Sequence, residues 1–428
     1  MSGKLLRVLG VGFGVAVLVG NTIGSGILRN PGEIAGHLPS AGLFLAVWIA
    51  GGVYALLGSN ALAEVAAMTR ESGGYTVFVR RGLGPYLGFV AGWSDWLSSC
   101  ASVTAAAIFL GESIGAIFGR SGAVVPVSAC AVLVGFTVVQ WPSVRAASGT
   151  QNITTILKAV GLLAFVALCF AFRSSSTTNI VPPADVPLFA AIVISMQIVI
   201  FTYDGWMGPA YFAGELRDPG RELPRSIFTG VVAVIVIYLL INLALLHVIP
   251  IDRLARDPFA AGSAMNAIFG ARGEVVLRVL VVLSLLSAIN AFLMFTSRIF
   301  YAVSDAIGFT PGARVNAGGT PTTGLLVSVA AAAIFLLSGT YSRVIAITAF
   351  LFIANYTFTY LSLFALRRRE PDAPRPFRAW GHPWTTGFVL LASIALLGGA
   401  VAADTWNSLA SIALLLISYP LFRAVSTR

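Results

Sequence analysis

Two stretches of this 428-residue chain place polar groups where membrane-spanning sequence has no use for them. The first, 17–31, reads VLVGNTIGSGILRNP and sets Gly20, Gly24 and Gly26 among Asn21, Thr22 and Ser25. Glycines let a backbone leave helical geometry at low steric cost. A break here turns the amides of Ser25, Gly26 and Ile27 into a cavity, because irregular backbone at bilayer depth is tolerated only where it lines such a space. The half-helix that resumes beyond it offers its positive dipole end to an anion, and a carboxylate is the obvious candidate. The second stretch, 201–215, reads FTYDGWMGPAYFAGE. Its Asp204-Gly205 and Gly208-Pro209 pairs form a strong breaker cluster. Pro209 removes a donor and disfavours helical geometry at Gly208. Asp204 is an N-cap for a second half-helix, an acid presented to the cavity, or both.

Other polar residues stand alone in apolar surroundings. Lys158, one of two lysines in the chain, precedes a nearly uninterrupted apolar run. It either snorkels to the interface or serves as a functional amine, since lysine gives up its proton in a dry site far more readily than arginine. Asp95, between Trp93 and Trp96, has a proton or substrate role or is the buried partner of an arginine or a backbone donor. Glu64 is expected to pair with Arg70, Arg80 or Arg81. Ser284, Ser287 and Asn290 form a polar stripe on one helix face. Enzyme chemistry is absent from view: no HExxH, GxSxG or P-loop pattern occurs. His37, His247 and His382 fit no metal spacing, and an odd set of cysteines, Cys100, Cys130 and Cys169, in apolar spans argues against a disulfide framework. Neither metal nor cofactor is expected.

The elements that must position these groups can be read from composition. The chain is 57% hydrophobic and 10% charged, with mean hydropathy +0.88, where a soluble domain has roughly 25% charged residues. With about 20 apolar residues per crossing, about twelve membrane helices are expected: 7–35, 41–68, 84–118, 123–140, 149–172, 187–214, 225–248, 274–303, 321–337, 341–366, 383–402 and 404–421. The first helix is expected to be retained rather than cleaved as a signal peptide. The net charge of +10 sets topology rather than marking a nucleic-acid partner. Most basic residues, including Arg367, Arg368 and Arg369, fall on one side, which places both termini in the cytoplasm. On that side 69–85 carries Tyr75, Val77, Phe78 and Val79, too apolar for a free linker and expected to pack against the bundle. The connections 173–187 and 250–273 carry no readable motif.

The broken helices are the first and the sixth. That order is expected when two five-helix repeats, 1–172 and 187–366, are inverted in the membrane with a site at their interface, leaving 383–428 outside the repeat.

These residues also resemble a known family. GNTIGSGIL, AEVAAMTRESGGYTVFVRRGLGPYLGFVAGW and FTYDGWMGPAYFAGELRDPGRELPRSI are similar to motifs of the amino acid–polyamine–organocation (APC) superfamily, closest to its bacterial L-type amino acid transporters and serine/threonine exchangers. The resemblance covers essentially the whole chain. It implies an all-α membrane protein with the leucine-transporter (LeuT) fold, in a bacterial inner membrane, moving L-amino acids without sodium by proton symport or exchange. It further implies that Ser25 and Gly26 amides bind the substrate carboxylate, and that carbonyls of Thr22, Phe201 and Asp204 receive its ammonium. Phe201 would be an aromatic lid and Trp206 a pocket wall, with Ile23, Gly24, Ile27, Tyr203 and Gly205 in the same two segments. Lys158 would tie its helix to carbonyls near Gly20. Two departures stand out. The FGRSGAVVP loop lacks the cysteine that joins some members to a glycoprotein chain, so no disulfide-linked heavy chain is expected, and the protein is expected to be a monomer or weak homo-oligomer. Ala288 and Phe292 stand where some relatives place serines, which leaves the coupling ion open. The alternatives are a carrier of cationic amino acids or polyamines, with Asp204 attracting charge, and a membrane sensor that binds without transporting.

Overall fold

In the computed structural model, the helix Val144–Ala171 buries Gln151, Thr155, Lys158, Leu162 and Phe165 and exposes Ile153, Ile156, Leu157, Val160 and Leu163. The buried set recurs every three or four residues, one face of a helix. The face it turns outward is wholly apolar, which makes sense only against hydrocarbon. The structure describes residues 10–24, 26–69, 73–119, 122–142, 144–172, 187–255, 257–338 and 341–426, and these form helices without a strand.

The first span is α1 (Val11–Thr22) and α2 (Gly26–His37), bent by 41°. Next come α3 (Ala41–Ala67), the short α4 (Tyr75–Leu83), α5 (Pro85–Ile117), α6 (Val124–Gln140) and α7 (Val144–Ala171). After these, α8 (Leu188–Tyr203) leads through a break to a 3-10 helix, Gly208–Glu215, and then to α9 (Pro219–Val248). The connection 250–273 holds α10 (Ile251–Leu254) and α11 (Ala260–Phe269). The remainder is α12 (Ala271–Ala306), α13 (Thr322–Ser338), α14 (Tyr341–Arg369), α15 (Trp384–Ala403), α16 (Thr405–Leu416) and α17 (Ser418–Ser426). Among the described residues nine helices are long and apolar enough to cross a membrane, the bent α1–α2 pair passes the same test together, and α6 and α13 are shorter apolar helices.

Burial separates a core from a periphery. The most apolar window of α5 is 78% inside the protein and that of α14 is 72%, against 28% for α15 and 17% for 405–424. So α5 and α14 form the inner wall, and the last helices lie against it from outside. Close approach rests on small residues: a Cβ on Gly111 of α5 would lie 2.6 Å from the carbonyl oxygen of Val125.

One end of the bundle carries most of the described arginines and is tied together by ion pairs. Glu64 is fully buried there, and the partners it shows are not the nearby arginines of 69–85. Arg70 lies outside the described residues, and Arg81 Nη2 pairs instead with Glu370 at 2.6 Å. Glu64 accepts from Arg367 at 2.6 Å, from Arg375 at 3.0 Å and from the amide of Ala379 at 2.7 Å. A buried carboxylate needs several donors at once, and these come from a segment some 300 positions further on, folded back over the bundle. Asn60 and the backbone of Trp380 exchange two bonds of 3.0 Å, and Trp380 stacks on Phe228 of α9 at 4.5 Å. Tyr75, Phe78 and Val79 of α4 are buried against the bundle while Arg80 and Arg81 are exposed. His382 is half-buried, 3.1 Å from Thr386 and against Phe364.

Candidate substrate site

Both interruptions expected from sequence are present, and they meet. The helix α1 ends at Thr22, Ile23 leaves helical geometry at φ −77°, ψ 78°, and the Gly24 amide turns back to the Thr22 carbonyl at 2.8 Å. The helix α8 ends at Tyr203, Asp204 adopts ψ 147°, and Gly205 has φ +134°, a conformation that a side chain would strain. A Cβ on Gly205 would also lie 2.1 Å from Thr22 Oγ1, so the two breaks touch. Tyr238 of α9 clamps them: its hydroxyl reaches the carbonyls of Thr22 at 2.5 Å and Thr202 at 2.9 Å. Asn30 of α2 adds a bond to Thr202 Oγ1 at 2.8 Å. Asp204 does not cap a second α-helix. The chain continues as the 3-10 helix, started by Pro209 and capped at Met207, and the Asp204 carboxylate accepts instead from the Tyr356 hydroxyl of α14.

A cavity of about 20 Å³ lies at this meeting point, room for about one water. The first break contributes Asn21, Thr22, Gly24 and Gly26, and the second Phe201, Thr202 and Asp204. Helices α5, α12 and α14 complete it with Ser102 and Ala106, Ala288 and Phe292, and Phe352. Three buried polar atoms of this wall, Asn21 Oδ1, Thr22 Oγ1 and Ser102 Oγ, have no hydrogen-bond partner among the described residues. Orphaned groups of this kind are costly, so the wall is built for a polar guest.

Aromatic rings close the cavity. Phe201 stacks on Phe352 with centroids 6.3 Å apart. Trp206 is buried beside Tyr356 at 4.8 Å and Tyr54 at 6.1 Å, away from the cavity wall. Beyond Asp204, Tyr211 donates to Asp95 at 2.7 Å. Asp95 therefore meets a hydroxyl rather than an arginine or a backbone donor. Nearby, Arg298 and Glu215 form a buried pair at 2.8 Å.

Lys158 is tied to the end of α1. Its Nζ donates to the Gly20 carbonyl at 2.8 Å and to the Ile23 carbonyl, so it does not snorkel outward. The last carbonyls of a helix have no intrahelical partner, and the amine supplies one. Around it, Thr155 bonds the Ala16 carbonyl at 3.3 Å, and Gln151 links Ser287 at 3.3 Å and Asn290 at 3.1 Å.

Of the sequence-expected residues, Thr22, Gly24, Gly26, Phe201 and Asp204 line the cavity together. Ile23 and Ile27 are buried beside it, Gly20 and Lys158 lie behind the first break, and Tyr203 turns away onto Trp48 and Tyr238. Ser25 is outside the described residues. Sequence reasoning missed Asn21, Ser102, Ala106, Thr202 and Tyr238. Asp95, Ser98, Ser102 and Ala106 fall on one face of α5, a stripe of small and polar residues that was there to be read. Among the described residues no cluster of three or more His, Cys, Asp or Glu could hold a metal.

The model of a family described as amino acid permease matches residues 6–419. The chain belongs to that family. It is a membrane transporter of the APC superfamily, not an enzyme. Among similar proteins is the serine/threonine exchanger SteT of Bacillus subtilis (strain 168), 23% identical over 99% of this permease and 98% of the exchanger. The b(0,+)-type amino acid transporter 1 of Mus musculus is 26% identical over 88% of the permease and 79% of the transporter. The Asc-type amino acid transporter 1 of Mus musculus is 28% identical over 87% and 73%.

Proposed function

We infer that the permease carries small neutral L-amino acids across a bacterial inner membrane by alternating access. The observation that carries this is the meeting of two interrupted helices at a buried cavity whose wall has three unpartnered polar atoms. Amides at the start of α2, those of Ser25 and Gly26, take the α-carboxylate, where the helix dipole favours an anion. Carbonyls of Thr22, Phe201 and Asp204 take the ammonium. Alanine, phenylalanine and serine side chains leave space only for a short side chain, and Phe201 with Phe352 forms the lid. Lys158 holds α7 to α1 in place of a metal cation, and transport is sodium-independent, by proton symport or exchange.

The two-repeat architecture is supported by helix lengths that run in parallel. Each half opens on a broken span. The next pairs are α3 with 27 residues against α9 with 30, and α5 with 33 against α12 with 36. Then come α6 and α13 with 17 each, and α7 with 28 against α14 with 29. Five helices per half invert the second copy, giving 1–172 and 187–366 as the repeats and 383–428 as an addition. The arginine-rich end faces the cytoplasm by the positive-inside bias. The Asp204 carboxylate on the cavity wall favours a second reading, transport of cationic amino acids or polyamines.

The test is uptake of labelled alanine, serine, threonine and leucine into proteoliposomes, with arginine, ornithine and putrescine as competitors. Failure of all four to accumulate, with or without counter-substrate and a pH gradient, overturns the reading. Gly26→Leu is expected to abolish uptake, because even its Cβ would lie 2.9 Å from Thr202.

A further inference from the structure

One buried acid takes no part in the substrate site. Asp95 lies on α5 two helical turns before Ser102 of the cavity wall, on the same face and toward the arginine-rich end. It is 1% exposed. Its Oδ1 accepts from Tyr211 at 2.7 Å, and its Oδ2 has no hydrogen-bond partner among the described residues. Glu64 shows what holding a buried carboxylate takes in this protein: two guanidinium groups and a backbone amide. Asp95 has one hydroxyl.

Among the described residues no cation reaches it from the elements packed around it. The 3-10 helix presents Tyr211, and the break ahead of it presents Asp204, which is bonded to Tyr356 and close enough to repel a charge on Asp95. Helix α4 presents Tyr75 and Thr76. A Cβ on Gly92, one turn before Asp95, would lie 2.1 Å from Thr76 Oγ1, itself unpartnered. Arg298 of α12 is committed to Glu215 at 2.8 Å and to the Met294 carbonyl at 3.0 Å, and Asp305 is exposed. Helix α14 carries Tyr356 and Tyr360, and its Arg367 is bound to Glu64. Helices α13 and α16 have no titratable side chain, and that of α6, Cys130, is exposed. Helix α17, with Tyr419 and Arg423, meets α5 at Tyr86 and Phe89, nearer the end of the bundle. On α5 itself the neighbour is Cys100.

An ionised carboxylate sealed in with one donor, a second carboxyl nearby and no cation is strongly disfavoured. The neutral acid is the form that fits this closed bundle. Once water reaches it that constraint is gone, and a hydrated aspartate is ionised at neutral pH. We propose that Asp95 is a proton-binding site that has to be filled before the arginine-rich end can shut. Opening that end parts Tyr211 from α5 and admits water; the carboxyl O–H bond breaks, and the proton passes to that water as hydronium. Closure runs the same step backwards. The closed state then holds one proton more than the open one, so closure is favoured as pH falls and opposed as it rises. This rests on the amino acid reading of the central cavity, although Asp95 itself stands outside the cavity wall.

The experiment measures serine counterflow by the full-length protein in vesicles of uniform orientation, with pH set separately on the two faces. Raising pH from about 6 to about 8 on the arginine-rich face should slow the parent, by up to about tenfold per unit, the limit for one proton per closure. Asp95→Asn keeps the shape of the neutral acid and an acceptor for Tyr211, and its rate should change less than about twofold over that range. Asp95→Glu should restore part of the slope. A slope in Asp95→Asn equal to the parent's overturns the proposal. So does exchange lost at every pH in a variant whose size-exclusion profile matches the parent's, which makes ionised Asp95 a structural anion. A flat profile in the parent overturns it even where the variants fail to fold. If the parent exchanges no amino acid, the substrate reading fails and the proposal falls with it; if it exchanges with a flat profile, only the proton site fails.

Discussion

Replacing Lys158 with methionine keeps an unbranched side chain of similar length in α7 and removes its hydrogen bonds. In the native protein those bonds go to the carbonyls of Gly20, at 2.8 Å, and Ile23. Gly20 lies in the last turn of α1, and the amide four residues on, Gly24, bonds Thr22 instead. Ile23 keeps only a 3.5 Å contact from Ser284. An orphaned buried carbonyl costs about 1–3 kcal/mol, so the arrangement in which both are dry is disfavoured by about that much in Lys158→Met. The same carbonyls find water once α1 swings away from α7, so the penalty falls on the closed state alone. At 1.36 kcal/mol per decade, the closed population drops roughly 5- to 150-fold. A transporter must pass through that state once per half-cycle, and counterflow exchange in proteoliposomes should fall by the same factor. Lys158 is not on the cavity wall, so a serine-induced thermal shift should survive. Exchange by Lys158→Met within about twofold of the parent would refute the chain of reasoning from carbonyl to cycle.

Three further outcomes are expected. Ser102→Ala removes an unpartnered hydroxyl from the cavity wall and should weaken competition by serine relative to alanine by about 2- to 10-fold, one neutral hydrogen bond; an unchanged ratio assigns the hydroxyl to packing. Glu64→Leu leaves Arg375, 2% exposed, as a buried cation without its partner and should cost about 3–5 kcal/mol, read as a large fall in melting temperature in detergent. Arg81→Gln breaks an exposed pair worth about 0–1 kcal/mol. Because the Arg81 hydrogen bond holds the Glu370 carboxyl below its usual range, that small contribution is present at neutral pH and lost only as acid protonates Glu370. Arg81→Gln should therefore melt close to the parent at pH 7 and indistinguishably from it at pH 3.

The two breaks were legible because they are local events. Gly24, Gly26, Gly205 and Pro209 change what the backbone can do at their own positions, whatever surrounds them. Lys158 was legible only in part: its position left snorkelling and a functional amine equally open, and the family resemblance pointed to the carbonyls near Gly20 that it bonds. The groups that meet these demands were not legible. Glu64 had arginines close by in sequence, yet its partners are Arg367 and Arg375, because a strap after α14 folds back across the bundle end. Asp204 had the position of an N-cap, yet Pro209 made the continuation a 3-10 helix and left the carboxylate to Tyr356. Tyr238 is the clearest case. In the sequence it is one aromatic residue in an apolar helix, with the pattern of any core tyrosine, and in the structure it holds both interruptions through Thr22 and Thr202. Such concealment is inherent in the physics of a broken span. Unwinding a helix exposes donors and acceptors that its own residues cannot satisfy, since their side chains already face the guest, so the partners must come from helices across the bundle. Periodicity and glycine content report where hydrogen bonds are missing; only the packing of distant helices decides which residues supply them.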